Sequence, residues 1–379
     1  MSHPFLDLAP LTAERFASIE QRVAALLHTD ADVLVMQGEA LLPLEGCIRS
    51  AARPGSTALN VVTGPYGQTF GGWLRDCGAT VVDLEVPYDT AASAGLVAKA
   101  LADHPETGLV SLVHAEAATG NTNPVAEIGP LVREHGALLM VDAVASVAAE
   151  PLLTDAWGVD LCVVGAQKAM GGPAGVSAVS VSDRAWERIR ANPQAPRRSY
   201  LSLLDWKERW IDTGRTVLPH APAQLEMLAL EACIDRIEAD GLDTVVARHR
   251  AASAATRAGV RAMNEQGDEG LRPYVGEDRE AAPAATTLRA PASADARALV
   301  TTALAAIDSD GARPLPLAAG GGALAREMLR VNHYGPDASL STVLRCLDGL
   351  AASLKASGLP ADAGAATTAA ETAWAVSAG

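Results

Sequence analysis

A chain of 379 residues, 49% apolar and 20% charged, is long enough for two or three domains around a large core, which excludes a disordered or fibrous protein. Aromatic residues are only 4% of it, so the core rests on Ala, Val and Leu, and the basic, aromatic-interleaved face of a nucleic-acid binder is missing. With 30 Lys plus Arg against 45 Asp plus Glu, the net charge of −15 repels polyanions and points to a small-molecule partner, which local arginines can still hold if it is anionic.

The opening segment MSHPFLDLAPLTAERF lacks the basic and apolar regions of a signal peptide, and no stretch reaches the roughly 18 apolar residues of a membrane span, so a cytoplasmic, unanchored protein is expected. From about residue 30 to 182, short β-branched runs alternate with amphipathic stretches of helical length, the pattern of an α/β domain with a mostly parallel sheet. The expected strands are Asp32–Met36, Ala58–Thr63, Thr80–Glu85, Leu109–His114, Ala137–Asp142, Leu161–Gly165 and Val176–Val181; several are continuously apolar, as in a sheet covered on both faces. Between them Glu39–Ala52, Tyr66–Cys77, Ala92–His104 and Val125–His135 carry apolar residues at three- and four-residue spacing.

After about residue 183 the texture turns to Ala-rich helices, expected at Pro222–Ala239, Leu242–Met263, Ser293–Ala306 and Leu340–Lys355, and strand signals are sparse. A Pro- and Gly-bearing segment, Glu265–Pro291, and the run PLPLAAGGG at Pro314–Gly322 separate them. The expected division is a large domain, residues 1–244, and a smaller C-terminal α+β domain, residues 245–379, ending in an Ala/Thr-rich tail that is either helical or disordered. The five cysteines, Cys47, Cys77, Cys162, Cys233 and Cys346, show no disulfide or zinc spacing, and the eight histidines no ligand spacing, so no metal is expected.

In an open α/β sheet ligands bind at the carboxyl ends of the strands, which singles out His114, Asp142 and Lys168, the last in VVGAQKAMGGPAG. A carboxylate ending a buried strand and a lysine after the next strand can converge on pyridoxal. The lysine, desolvated so that its pKa falls, forms a Schiff base with the aldehyde, and the carboxylate keeps the pyridine nitrogen protonated as an electron sink. A helix-capping Asp and a surface Lys beside a Gly-rich turn would leave the same spacing.

The stretch from His114 to Ser182, with VDAV, then QK, then a late LRV in that order, resembles the class V, fold-type I aminotransferases, the alanine-glyoxylate aminotransferase group. The resemblance extends from about Val33 to Leu354. It implies that Lys168 is the Schiff-base lysine and Asp142 the pyridinium partner, that Tyr66 in GPYGQTF stacks on the ring, and that Arg330 in MLRVNHYG grips the substrate carboxylate. It also implies a site built between subunits, hence a homodimer or homotetramer.

Departures from the family pattern carry further information. Relatives that hold pyridoxal 5'-phosphate have a Gly-Ser-Gly-Thr-like turn after the first strand, whereas this chain reads Gln37-Gly38-Glu39-Ala40-Leu41, with Glu39 where the phosphate would lie. A Thr beside Pro is also missing from VLPHAPAQ, where His220 stands nearby. The turn with Leu42, Leu44 and Glu45, the pattern Gly64, Tyr66, Gly67, Phe70, Gly71 and Trp73, LEVPY at Leu84–Tyr88 and the run Ala191–Trp206 resemble the branch that handles unphosphorylated vitamin B6. That resemblance implies vitamin B6 degradation by the reaction pyridoxamine plus pyruvate giving pyridoxal plus L-alanine, with the ring as a substrate bound to Lys168 and Glu39 selecting its free hydroxymethyl group. The alternative is an alanine/serine-glyoxylate-type enzyme with pyridoxal 5'-phosphate as cofactor. Two positions depart from the branch: Ala117 stands where a hydroxyl is expected to touch the ring 3-oxygen, with Thr119 its nearest substitute, and Gly321 where a second arginine is expected.

Overall fold

In the computed structural model, which describes residues 8, 10–264, 270–307 and 313–377, the chain begins with a helix outside the expected set, α1 (Ala13–Leu26). Thr12 caps it through the Arg15 N–H, and Phe16, Ile19, Val23 and Leu26 form its buried stripe. Then follow β1 (Asp32–Gln37), α2 (Leu41–Ala51), β2 (Thr57–Val62), α3 (Pro65–Asp76), β3 (Thr80–Glu85), α4 (Ala94–Asp103) and β4 (Thr107–Val113). A short hairpin, β5 (Ala115–Glu116) and β6 (Asn121–Thr122), leads to α5 (Val125–His135), β7 (Leu138–Asp142), β8 (Leu161–Gly165), β9 (Val176–Val181), α6 (Asp183–Arg190), α7 (Leu203–Trp206) and α8 (Gln224–Asp240).

Seven strands form one sheet in the order β1-β9-β8-β7-β4-β2-β3. Strand β9 pairs antiparallel with both its neighbours and is the one reversed strand, so the architecture is the expected α/β fold with a mostly parallel sheet. Strands β2, β7, β8 and β9 are buried at every residue because helices cover both faces, whereas the edge strand β3 stays partly exposed. With few aromatics to use, the core between these layers is mainly Val, Leu and Ala, with Phe16, Phe70 and Trp186 as its largest buried side chains. Arg15 pairs with Glu231, and Arg22 with Asp235 and Glu238, so α1 is bound to α8 by charge as well as by packing.

The long α9 (Leu242–Met263) leads into a second layer: β10 (Arg272–Pro273), β11 (Ala285–Arg289), α10 (Ala296–Ala306), β12 (Leu317–Ala319), β13 (Met328–Asn332), α11 (Leu340–Ala356) and α12 (Ala363–Ser377). Its four strands make an antiparallel sheet in the order β10-β11-β13-β12, more sheet than the sparse strand signals suggest. Residues 265–269 of the Pro- and Gly-bearing segment lie outside the described residues, as do residues 1–7 and 9 of the opening segment. The Ala/Thr-rich tail is a helix, α12, whose Ala366 and Ala370 are buried in the second core, against α9. No helix among the described residues is long and apolar enough to cross a membrane.

Candidate active site

Because β1, β2, β4, β7 and β8 share one direction, their carboxyl ends lie along one edge of the sheet. The chain leaving that edge carries Glu39 after β1, Tyr66 after β2 and Glu116 after β4; Asp142 is the last residue of β7, and Lys168 follows β8. Residues spread over 130 positions are thus delivered to one place by strand direction alone.

Lys168 Nζ lies 5.3 Å from the centroid of the Tyr66 ring. Asp142 is buried, and its Oδ1 accepts the Val144 N–H at 2.9 Å. Burial lifts the Asp142 carboxyl above its ordinary range, against the pull of Lys168 and the Val144 amide. Burial also works against the Lys168 ammonium, but Asp142, the Tyr334 and Tyr66 phenols and Glu116 together outweigh it and hold the group above the ordinary lysine range. This corrects the expectation of a lysine depressed by desolvation: the acids around it decide.

Glu39 is exposed and stands just outside α2, which starts at Leu41 and not at Glu39 as the apolar spacing suggests. Its Oε2 accepts the Leu41 N–H at 2.8 Å, and its Oε1 accepts Gln167 Nε2 at 2.7 Å. The carboxylate therefore caps the positive end of α2 and is tied to the residue next to Lys168. Gly38 makes the turn possible with a φ of +135°, its N–H donating to the Gly175 carbonyl at 2.8 Å.

Arg330, on β13, donates from Nη1 to the Ala117 carbonyl at 3.2 Å, and its buried Nε has no partner. That leaves part of the guanidinium fork unused beside the β5–β6 hairpin. Thr119 is fully buried in that hairpin, and its hydroxyl is engaged by the protein: it donates to the Thr63 carbonyl at 3.3 Å and accepts Asn121 Nδ2 at 2.9 Å. Two acidic side chains beside the lysine escaped sequence reasoning. Tyr334 follows β13 and acts on the Lys168 charge, and Glu116 is buried within the same cluster as Tyr66, Asp142 and Lys168. The signal for Glu116 is faint: an acid flanked by alanines, two residues past the apolar run that ends in His114.

A lysine and a buried aspartate at the carboxyl edge of a mostly parallel sheet, with a tyrosine ring beside the amine, define a fold-type I enzyme of pyridoxal chemistry. The Aminotransferase class-V profile matches residues 6–301, and the chain belongs to that family. It is 34% identical over 352 residues to the pyridoxamine–pyruvate transaminase of Mesorhizobium japonicum, covering 93% of this chain and 86% of the relative. The crystal structure of pyridoxamine-pyruvate aminotransferase from Mesorhizobium loti superposes with a TM-score of 0.89 at 30% identity, covering 97% of this chain and 91% of that one. The alanine–glyoxylate aminotransferase of Drosophila melanogaster is 27% identical over 299 residues, 78% of this chain and 74% of the relative. The protein is accordingly an aminotransferase acting on small molecules, in a family whose cofactor is pyridoxal phosphate.

The residues present fit one part of that cofactor and not the other. Asp142, Lys168 and Tyr66 suit the pyridine ring and its aldehyde. At the start of α2, however, the Leu41 amide that would meet a phosphate is already bonded to Glu39. A charge pair of like sign at about 4 Å costs roughly 4 kcal/mol at an effective dielectric of about 20, so this turn disfavours a phosphate dianion.

Proposed function

We propose that the protein transfers the amino group of pyridoxamine to pyruvate, giving pyridoxal and L-alanine, and that the ring enters without a phosphate, as a substrate. The observation that carries this reading is the seat of Glu39 on the α2 N-terminus, held by Leu41 and Gln167. The relatives named for the same reaction, matched over nearly the whole chain, support it. Lys168 is assigned the amine that bonds the aldehyde carbon and the base that moves a proton between the ring's 4' carbon and the α-carbon of the amino acid. Asp142 holds the ring nitrogen protonated, Tyr66 stacks on the ring, and Glu39 accepts a hydrogen bond from the free hydroxymethyl group. Arg330 takes the pyruvate carboxylate with its unused donors. Thr119 shapes the ring pocket through the hairpin it braces, its carbonyl accepting Thr287 Oγ1 at 2.7 Å.

The test is direct: purified protein, pyridoxamine and pyruvate are mixed without any phosphate ester. Pyridoxal and alanine in equal amounts are expected. No product, together with tightly copurified pyridoxal 5'-phosphate, would overturn the reading in favour of an alanine/serine-glyoxylate-type enzyme, the reaction class to which family membership alone also leads.

We also propose a place in vitamin B6 degradation, in the cytoplasm, where the unpaired cysteines suit a reducing environment, and a homodimer or homotetramer, to be checked by sedimentation. The division into residues 1–244 and 245–379 is supported by two cores, one ending at Val245 and the next beginning at Ala252.

A further inference from the structure

Glu116 occupies a position that nothing in the fold itself explains. It is fully buried, and neither carboxyl oxygen accepts a well-formed hydrogen bond, the amides of Ala118 and Tyr66 giving it only weak support. Its side chain lies over Gly64, where even a Cβ would come within 2.3 Å of Glu116 Cγ and 2.6 Å of Oε2, so residue 64 has no room for a side chain. The charged and titratable groups facing it are Asp142 from β7, Lys168 from the loop after β8, and Tyr66 and Tyr88 from the segments after β2 and β3. Glu39 acts on Asp142 and Tyr66, and Tyr334 on Lys168.

Charge counting in this buried cluster leads to a role. One ammonium, Lys168, faces two carboxyls, and a low-dielectric site strongly disfavours a net unpaired charge. Asp142 has an amide donor at 2.9 Å and raises Lys168 more than any other neighbouring acid, so it is the carboxyl that stays ionised. The remaining proton resides on Glu116. Burial pushes the Glu116 carboxyl up to about 8, with Asp142 adding to the effect and Lys168 opposing it.

We propose that Glu116 is the charge-balancing acid of the active site, neutral while Lys168 and Asp142 face only each other and ionised once a cationic aminomethyl-pyridine binds beside them. This deepens the assignment of the site to pyridoxamine and rests on it. In balance, the Glu116 carboxyl gives its proton to solvent and the resulting carboxylate offsets the incoming ammonium; no bond to carbon is made or broken. Below about pH 8 amine binding therefore releases a proton from Glu116, and above it the group is already ionised and releases none. Pyridoxal carries an aldehyde in place of the ammonium; its condensation with the Lys168 ammonium expels water and keeps the one positive charge on the nitrogen now joined to carbon, so it does not call on Glu116.

The experiment is calorimetric titration with pyridoxamine, without pyruvate, in phosphate and in Tris at pH 7, repeated with pyridoxal and at pH 9. Wild-type protein is expected to release about one proton more with pyridoxamine than with pyridoxal at pH 7, a difference that falls towards zero at pH 9. Glu116→Gln, which keeps the shape and removes the titration, should lose that difference and weaken pyridoxamine about tenfold while leaving pyridoxal unchanged; Glu116→Asp should restore the release. A wild-type difference that is absent at pH 7, or unchanged at pH 9, overturns the proposal even if no variant folds. Equal proton release and an equal affinity ratio in Glu116→Gln overturn it as well, while leaving the transamination reading intact. Binding of neither ring without its phosphate overturns both.

Discussion

Two separable contacts hold the Glu39 carboxylate, one from the Leu41 amide and one from Gln167. Replacing Gln167 with Ala removes the second and leaves the first, at a cost of about 1 kcal/mol in how firmly the carboxylate is aimed. The preference for pyridoxal over pyridoxal 5'-phosphate should then fall about three- to tenfold in directly measured dissociation constants; an unchanged ratio removes Gln167 from selectivity. Lys168, Asp142 and Arg330 were legible as single letters because strand ends and a family pattern mark them. Glu116 and the Gln167–Glu39 bond were not. An acid flanked by alanines in HAEAATG resembles loop filler, and two residues 128 positions apart meet only once the order of the strands is known.

At the level of elements, the tail helix α12 has the clearest consequence. Its Ala366 and Ala370 have no exposure, and the Ala366 carbonyl approaches Gly259 of α9 so closely that a Cβ there would sit 3.1 Å from it. Ala370→Asp would place a carboxylate in an apolar seam and should destabilise the second core by about 2 kcal/mol or more, seen as a lower denaturant midpoint. An unaltered midpoint would mean that α12 adds little to that core. The seven strands of the large sheet were legible because short runs rich in Val and Leu, several of them continuously apolar, have few other readings between stretches of helical spacing. Helix α1 has its own signal in Thr12 and in the spacing of Phe16, Ile19, Val23 and Leu26, but this stripe is interrupted by charged and polar residues and stands apart from the alternation of strands and helices that begins near residue 30. The second sheet was obscured for a physical reason: β10 has two residues and β12 three, too short for a period of two to repeat.

Buried ionisable groups across the whole molecule set its response to pH. Burial pushes Glu20 and Glu150 up to about 7 and Glu116 to about 8, from an ordinary 4.5. The stability these contribute is complete below about pH 4.5 and is lost as pH rises through 7 to 8. His114 and His249 are pushed down to about 4 and His333 to about 3, from 6.5, so their contribution is complete above about 6.5 and is lost as pH falls towards 4. The two sets oppose each other, and without ligand the protein should be most stable between about pH 5 and 6. Thermal unfolding from pH 4.5 to 8.5 checks this, and a midpoint still climbing at pH 8 would contradict it.

The single reversed strand has a mechanical consequence. Because β9 runs backwards between β1 and β8, its start lies beside the exit of β1: the Gly38 N–H donates to the Gly175 carbonyl, and Ser177 Oγ donates to the Gly38 carbonyl at 3.0 Å. The segment from Gly165 to Val176 that carries Lys168 is thereby clamped to the turn that carries Glu39. A change at Gly175 or Ser177 would therefore disturb the turn that carries Glu39 and the segment that carries Lys168 together, although neither residue belongs to the turn itself.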